Sequence, residues 1–261
     1  MPTAYGTEIV TALSAFVASL LSGLLGIGGG VVLTPLLLYL PPAVGIGALP
    51  VKIITGLTIV QAISGSALGA FRHSSYGNVS RRLVLTMGPT GAAASLAGAL
   101  ISRDVNDRVL LGIFAVLALV TAAMLLLPVE SQESGTDDLH LNVPLAVGIS
   151  IVLGFLGGMV GIGAIATIIG ALVYLLRVPP RIAIGTSLGI GMFAAVAALI
   201  GKAATAQIDP PLATIVAVVA LVASPIGAWV SIRTQPGLLM KILAVVVILA
   251  ALRMAASAIL G

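Results

Sequence analysis

The chain has 261 residues, of which 59% are hydrophobic and only 8% are charged, and its mean hydropathy is +1.24. A soluble globular domain carries about 25% charged residues, so this composition excludes the soluble class and predicts a membrane protein. The formal net charge of +4 does not indicate nucleic-acid binding, because the basic residues lie at the ends of apolar runs, where they report orientation. Cysteine is absent, so neither disulfides nor thiolate metal sites are expected.

The first apolar run lacks a preceding basic region and is too long for a signal-peptide core, so a retained first helix is expected. In chain order, the candidate membrane segments lie at 8–26, 31–40, 45–71, 83–101, 109–127, 143–159, 164–176, 182–204, 212–230 and 238–260. A spanning helix needs about 20 residues. The chain is therefore predicted to be an all-α polytopic membrane protein with about eight to ten membrane segments. Segments 31–40 and 164–176 are short, so spanning and re-entrant arrangements both stay open.

An acidic, polar linker at 129–142 divides the chain almost in half. It separates a first membrane repeat, 1–128, from a second, 143–261. Each half has a glycine-rich break inside an apolar run, at 23–30 and at 158–165, followed by Tyr-Leu and Pro-Pro. Beyond the prolines, Gly47-Ala48-Leu49 aligns with Gly185-Thr186-Ser187. These matches predict an internal duplication with five segments in each half.

The positive charges predict how the two halves are oriented. In the first half the most basic loop follows the third segment, whereas in the second half the basic loops follow the second and fourth segments. Basic loops mark the cytoplasmic side, so the halves are predicted to form an inverted repeat. Both termini then lie outside the cell and the linker lies in the cytoplasm.

The two glycine breaks admit three interpretations. A nucleotide-binding loop needs a preceding strand and a following lysine, and neither is present. Close helix packing is the ordinary role of spaced glycines such as Gly154 and Gly158. Consecutive glycines also weaken a helix by about 1 kcal/mol each. Because the breaks recur at matching positions, we favour helices interrupted at membrane depth, as in transporters.

An interrupted helix offers free N–H groups and the positive end of a helix dipole, both of which attract anions. Thr186 and Ser187 add hydroxyl groups near the start of a segment; a ligand contact and a bond to the helix's own carbonyls both stay open. Gln61 is expected to make an interhelical hydrogen bond.

Few charged residues lie within the apolar runs. Lys202 and Arg253 are expected to extend to the membrane interface, and for Lys52 this role and a functional role are both open. No Asp or Glu lies in the core of any segment, which argues against a carboxylate proton relay and favours an anionic substrate. An enzyme is not expected, because the segments offer no acid, histidine or nucleophile pair. His73 and His140 lie in loops without partners at ligand spacing, so no metal site is expected.

The chain resembles the TauE/SafE sulfite exporter family of membrane permeases. The residues that carry the resemblance are the break at 23–30 followed by Thr34-Pro35-Leu36-Leu37, the break at 158–163, and the run from Arg181 to Ser187. The resemblance covers essentially the whole chain. It implies a cytoplasmic-membrane transporter of small anions, such as sulfite or organosulfonates including sulfoacetate.

We therefore expect a secondary transporter that works by alternating access, with a passive channel or an integral-membrane enzyme as alternatives. No cofactor is expected. The expected partners are a small anion and the lipid bilayer, while a coupling proton or sodium ion and a homodimer stay open. The candidate substrate-binding residues are Gly28, Gly29, Gly30, Thr34, Gly47, Lys52, Gly161, Gly163, Ala164, Thr186 and Ser187.

Overall fold

Apolar runs separated by glycine, proline and short polar turns fold into a bundle of helices. The computed structural model describes residues 5–25, 29–75, 79–126, 142–161, 165–231, 248 and 251–257. Within these ranges no strand occurs, which agrees with the predicted all-α class. The helices are α1 (Gly6–Leu25), α2 (Gly30–Ala43), α3 (Val51–Ser75), α4 (Arg81–Ile101), α5 (Asp107–Leu126), α6 (Val143–Val160), α7 (Ile165–Gly170, continued by a π-helical turn, Ala171–Leu175), α8 (Pro180–Ala204) and α9 (Pro210–Ser231).

Six helices, α1, α4, α5, α6, α8 and α9, are long and apolar enough to cross a bilayer. They keep large apolar side chains on their outer faces. On α9 these exposed side chains are Val218, Leu221, Val222, Ile226 and Trp229. Such continuous apolar surface is unfavourable in water and favourable against lipid. The chain is therefore a multi-pass membrane protein.

The predicted segment boundaries hold to within a few residues, with one larger difference at α3. This helix begins at Val51 and continues to Ser75, so Arg72 and His73 lie in its last turn instead of in a loop. Residues 127–141 and most of the last predicted segment lie outside the described residues. The repeat boundaries at 128 and 142 therefore stay predictions.

Two helix pairs pack through glycines set against backbone carbonyls. Gly158 of α6 faces the Ser95 carbonyl of α4, and Gly98 of α4 faces the Phe155 carbonyl of α6. In the other pair, Gly23 of α1 faces the Ser224 carbonyl of α9, and Gly227 of α9 faces the Leu20 carbonyl of α1. Without a side chain at these positions, the backbones can approach closely, as in other membrane helices.

The helices on either side of the second break, α6 and α7, run in opposite directions. Ser150 Oγ of α6 bonds the Met87 carbonyl of α4, and eight residues later in both helices Gly158 contacts Ser95. The residue numbers rise together in the two helices, so α4 and α6 are parallel. The short turn after α4 makes α5 antiparallel to both. Thr167 of α7 bonds Thr121 of α5 at 2.9 Å, and Tyr174 bonds the Met124 carbonyl at 3.2 Å. α7 therefore runs parallel to α5 and returns alongside α6.

Candidate functional site

The first break lies between α1 and α2. Gly29 precedes α2 with φ +64°, a left-handed conformation that favours glycine, and its carbonyl accepts from Val32 N and Leu33 N at 3.0 Å. A Cβ at Gly29 would lie 2.5 Å from Gln61 Nε2 and 3.0 Å from Ser22 Cβ. Both the backbone angle and the space therefore require glycine here. Gly30 is buried in the first turn of α2, and Gly28 lies outside the described residues.

The second break begins where α6 ends. Gly161 is buried with φ +78°, and its N–H donates to the Gly157 carbonyl at 2.9 Å. A side chain there would collide with the Thr55 carbonyl and Thr58 Oγ1 on α3. Gly161 thus ends the helix and allows α3 to approach. Gly163 and Ala164 lie outside the described residues.

Both breaks contact the same helix. Gly161 contacts α3 at Thr55 and Thr58, and Gly29 contacts it at Gln61. Thr58 and Gln61 are three residues apart and so share a helix face, within about one turn of each other. The tertiary structure therefore brings two breaks that are far apart in sequence to adjacent places in the protein interior.

Hydroxyl and amide groups line this region. Gln61 donates from Nε2 to Ser19 Oγ of α1 at 3.1 Å, which is the interhelical bond predicted for it. Gln61 Oε1 is buried and makes no hydrogen bond with the part of the chain that the structure describes, and the same holds for Thr34 Oγ1 in α2. Burying a polar atom without a partner is unfavourable. These two oxygens are therefore available to a water or a ligand.

Thr186 and Ser187 are buried in the second turn of α8 and already take part in protein hydrogen bonds. Thr186 Oγ1 accepts from Ser80 N at the start of α4, at 3.0 Å. Ser187 Oγ donates to the Ile184 carbonyl at 2.8 Å, the local bond that short hydroxyl side chains make in helices. Each hydroxyl still has acceptor lone pairs, but these bonds alone also explain why the residues are buried.

Gly47 does not occupy the position that its alignment with Gly185 implies. Gly47 is exposed in the extended stretch before α3, whereas Gly185 lies within α8. Pro50 and Pro179 directly precede α3 and α8, and Thr58 and Ser187 each lie eight residues after these prolines. Thr58 Oγ1 donates to the Thr55 carbonyl at 2.8 Å, the same local bond that Ser187 makes to Ile184. Thr58 is therefore a hydroxyl of α3 in a setting similar to that of Ser187 in α8.

Lys202 is completely buried, and the prediction that it extends to the membrane interface is wrong. Its Nζ donates to Thr55 Oγ1 (2.9 Å), Ser102 Oγ (2.7 Å), the Met159 carbonyl (2.9 Å) and Gln207 Oε1 (2.8 Å). The ends of α4, α6 and α8 meet here. Their C-terminal dipoles and these oxygens stabilise the ammonium. We call Lys202, Thr55, Ser102, Gln207 and the Met159 carbonyl the Lys202 cluster.

The turn after α8 completes the cluster. Ala206 has φ +54°, which is unusual for a residue with a side chain and turns the chain back so that Gln207 reaches the cluster. Gln207 Nε2 then donates to the Ala99 carbonyl at 3.2 Å and to Thr205 Oγ1 at 2.7 Å. The Lys202 cluster lies directly beside the second break, because Met159 is in the last turn of α6 and Thr55 contacts Gly161.

Lys52 is half-buried in the first turn of α3 and donates from Nζ to the Arg103 carbonyl in the turn after α4. Its charge acts on Lys202 as a like charge. Sequence reasoning named Lys52 but missed Ser102, Gln207 and the role of Lys202. The signal available in the sequence was a lysine inside an apolar helix that contains no acidic residue. Within the part of the chain described, no group of three or more His, Asp or Glu residues is suited to a metal.

Comparisons with known proteins give a consistent result. A family model described as "Sulfite exporter TauE/SafE" matches residues 11–254. The chain is 24% identical to "Probable membrane transporter protein YunE" of Bacillus subtilis, covering 92% of this chain and 94% of that protein. It is 23% identical to a probable membrane transporter protein of Methanocaldococcus jannaschii, covering 85% of each chain. A protein of the same description from Xylella fastidiosa is 28% identical over 73% of this chain and 72% of its own. No solved structure matches the chain.

Proposed function

The chain belongs to the TauE/SafE sulfite exporter family of membrane transporters, and from that premise we propose that it moves small anions, sulfite or an organosulfonate such as sulfoacetate, by alternating access. The observation that carries the proposal is the approach of both glycine breaks to adjacent turns of α3. Irregular backbone at membrane depth is tolerated where it lines a cavity or a binding site. The cytoplasmic membrane is the proposed location.

The proposed substrate site uses the backbone and the polar groups around the breaks. The N–H groups at Gly29 and Gly30 open α2, and the positive end of its dipole favours an anion. Gly163 and Ala164, which lie outside the described residues, are the sequence-predicted counterparts before α7. Thr58 and Gln61 border the site from α3, and we propose that Thr34 of α2 and Thr186 and Ser187 of α8 complete it. Hydrogen bonds from neutral donors to an anion are stronger in an apolar interior than in water.

We propose that the two halves form an inverted repeat and that one rocks against the other during transport. The reciprocal glycine contacts support this arrangement, because α1 packs on α9 in the same way as α6 packs on α4. A second pair of matched contacts involves the tyrosines after the breaks. Tyr39 OH pairs with Ser257 Oγ at 3.2 Å, and Tyr174 OH bonds the Met124 carbonyl at 3.2 Å. Each tyrosine thus bonds a residue of the other predicted half, which supports the proposed repeat.

The test is uptake of radiolabelled sulfite by proteoliposomes containing the full chain, with unlabelled sulfite inside to detect counterflow. Gln61→Leu removes, at nearly constant volume, an amide whose Nε2 carries a second N–H besides the one that Ser19 accepts. That N–H can donate to an anion, so we expect the concentration for half-maximal uptake to rise about tenfold, the effect of losing one ligand hydrogen bond. The double variant Thr186→Ala with Ser187→Ala should also raise the concentration for half-maximal uptake.

The matched control is Thr214→Val, which removes an exposed hydroxyl that bonds only to the Pro210 carbonyl of its own helix. It should transport like the unmodified protein. Unchanged uptake by both Gln61→Leu and the double variant would show that the anion binds elsewhere. Electrogenic flux at channel rates without counterflow would identify a passive channel instead.

A further inference from the structure

The Lys202 cluster stabilises a cation without neutralising it. The four partners that the described residues give the ammonium are neutral oxygens. Such dipoles replace the hydration of the charge but leave its net value unchanged. Whenever Lys202 is protonated, its charge therefore has no neutralising partner among the described residues beside Gly161.

Among the residues that the structure describes, the charged groups around the cluster do not supply a counter-ion. On α3 the facing charge is Lys52, another cation. In the turn after α4, Arg103 and Asp104 are exposed, and in the turn after α8 the Asp209 carboxylate accepts from Leu212 N at 3.1 Å and so caps α9. α6 has no charged residue. Two ammonium groups thus lie together, one of them fully buried, where an anion would relieve their mutual repulsion.

The hydrogen bonds of Lys202 allow a ligand to enter. An ammonium group has three N–H donors, whereas four oxygens lie within hydrogen-bond distance of it. One acceptor can therefore leave without depriving any N–H of a partner. The Met159 carbonyl is the acceptor best placed to leave, because it lies in the last turn of α6, next to the Gly161 break.

We propose that Lys202 and Lys52 form an anion subsite beside Gly161, in which an oxygen of a small oxyanion takes the place of the Met159 carbonyl on Lys202. This inference rests on the proposed function and adds to it the charge that selects anions. The ligand class is a sulfite ion or the sulfonate group of a small organosulfonate. Because the exchange releases the Met159 carbonyl, anion binding is coupled to movement of the last turn of α6.

The experiment measures sulfite affinity of the purified full chain by titration calorimetry and the rise in unfolding temperature that sulfite produces. Lys202→Met keeps the length of the side chain and removes its charge; we expect affinity to fall about thirtyfold or more, as for loss of a buried charge contact. Lys52→Gln should lower affinity about threefold to tenfold, since this charge is partly exposed. Arg108→Gln removes an exposed charge at the same end of the bundle and should leave affinity unchanged.

Each outcome decides the question. If Lys202→Met folds and binds sulfite like the unmodified protein, the subsite is wrong while the proposed function stands. If Lys202→Met does not fold, Lys52→Gln decides, and an affinity equal to that of Arg108→Gln overturns the inference. If the unmodified protein binds neither sulfite nor sulfoacetate, the proposed function and the subsite fall together.

Discussion

Glycine serves different purposes at different positions of the same helix. Gly161 ends α6 in a left-handed conformation and lies against the α3 backbone, so it meets two separate requirements that other residues do not. Gly148, in the interior of α6, has open space where a side chain would project. Glycine is required at 161 because of a tertiary contact, whereas no tertiary contact requires it at 148.

At the residue scale, we predict opposite effects for two substitutions in α6. Gly161→Ala should lower the free energy of unfolding by about 1–3 kcal/mol, because of the positive φ and the contact with Thr55. Gly148→Ala should raise it by up to about 1 kcal/mol through better helix propensity. Thermal or denaturant unfolding in detergent measures both. Equal effects of the two substitutions would contradict the assigned conformation of Gly161.

Lys202 shows how a buried charge is retained in a membrane protein. Its position in the last turn of α8 suggests a side chain that extends to the interface. The ends of α3, α4 and α6 and the turn after α8 nevertheless supply oxygens that are closer. Bonds to nearby acceptors are favoured over a longer reach to water when helix C-termini converge on the amine.

At the element scale, the α1–α9 and α4–α6 pairs share one mode of contact. We predict that Gly23→Ala and Gly158→Ala destabilise the protein by similar amounts, about 1–3 kcal/mol each, because each inserts a methyl group against a carbonyl of the partner helix. Gly112→Ala on α5, where space is open, is the control and should not destabilise. The same unfolding measurement in detergent applies, and a large difference between the first two variants would show that the pairs are not equivalent.

At the scale of the whole molecule, the parallel course of α4 and α6 places Asn106 and Asn142 at opposite ends of the bundle. Since the chain has no cysteine, single cysteines can be introduced without removing others. With the linker in the cytoplasm, Asn142→Cys should react with a membrane-impermeant maleimide only after the cells are opened, and Asn106→Cys should react in intact cells. The reverse pattern would invert the predicted orientation, and labelling of both from one side would contradict the arrangement of the helices.

The sequence by itself determined the membrane class, the all-α fold and most helix boundaries, because burial in lipid requires long apolar runs and internally bonded backbone. It also located both glycine breaks, since loss of helix propensity at consecutive glycines is a local property. The family resemblance was likewise legible from local motifs. None of these features depends on which helices become neighbours.

Only the tertiary structure decided what the breaks and charges contact. The meeting of Gly29 and Gly161 on α3, the exposure of Gly47 and the burial of Lys202 all depend on packing between distant segments. The periodicity of apolar residues along a chain carries no information about how the helices are placed relative to one another. That placement determines which groups surround a buried lysine, so the partners of Lys202 could not be predicted from the residues next to it in sequence.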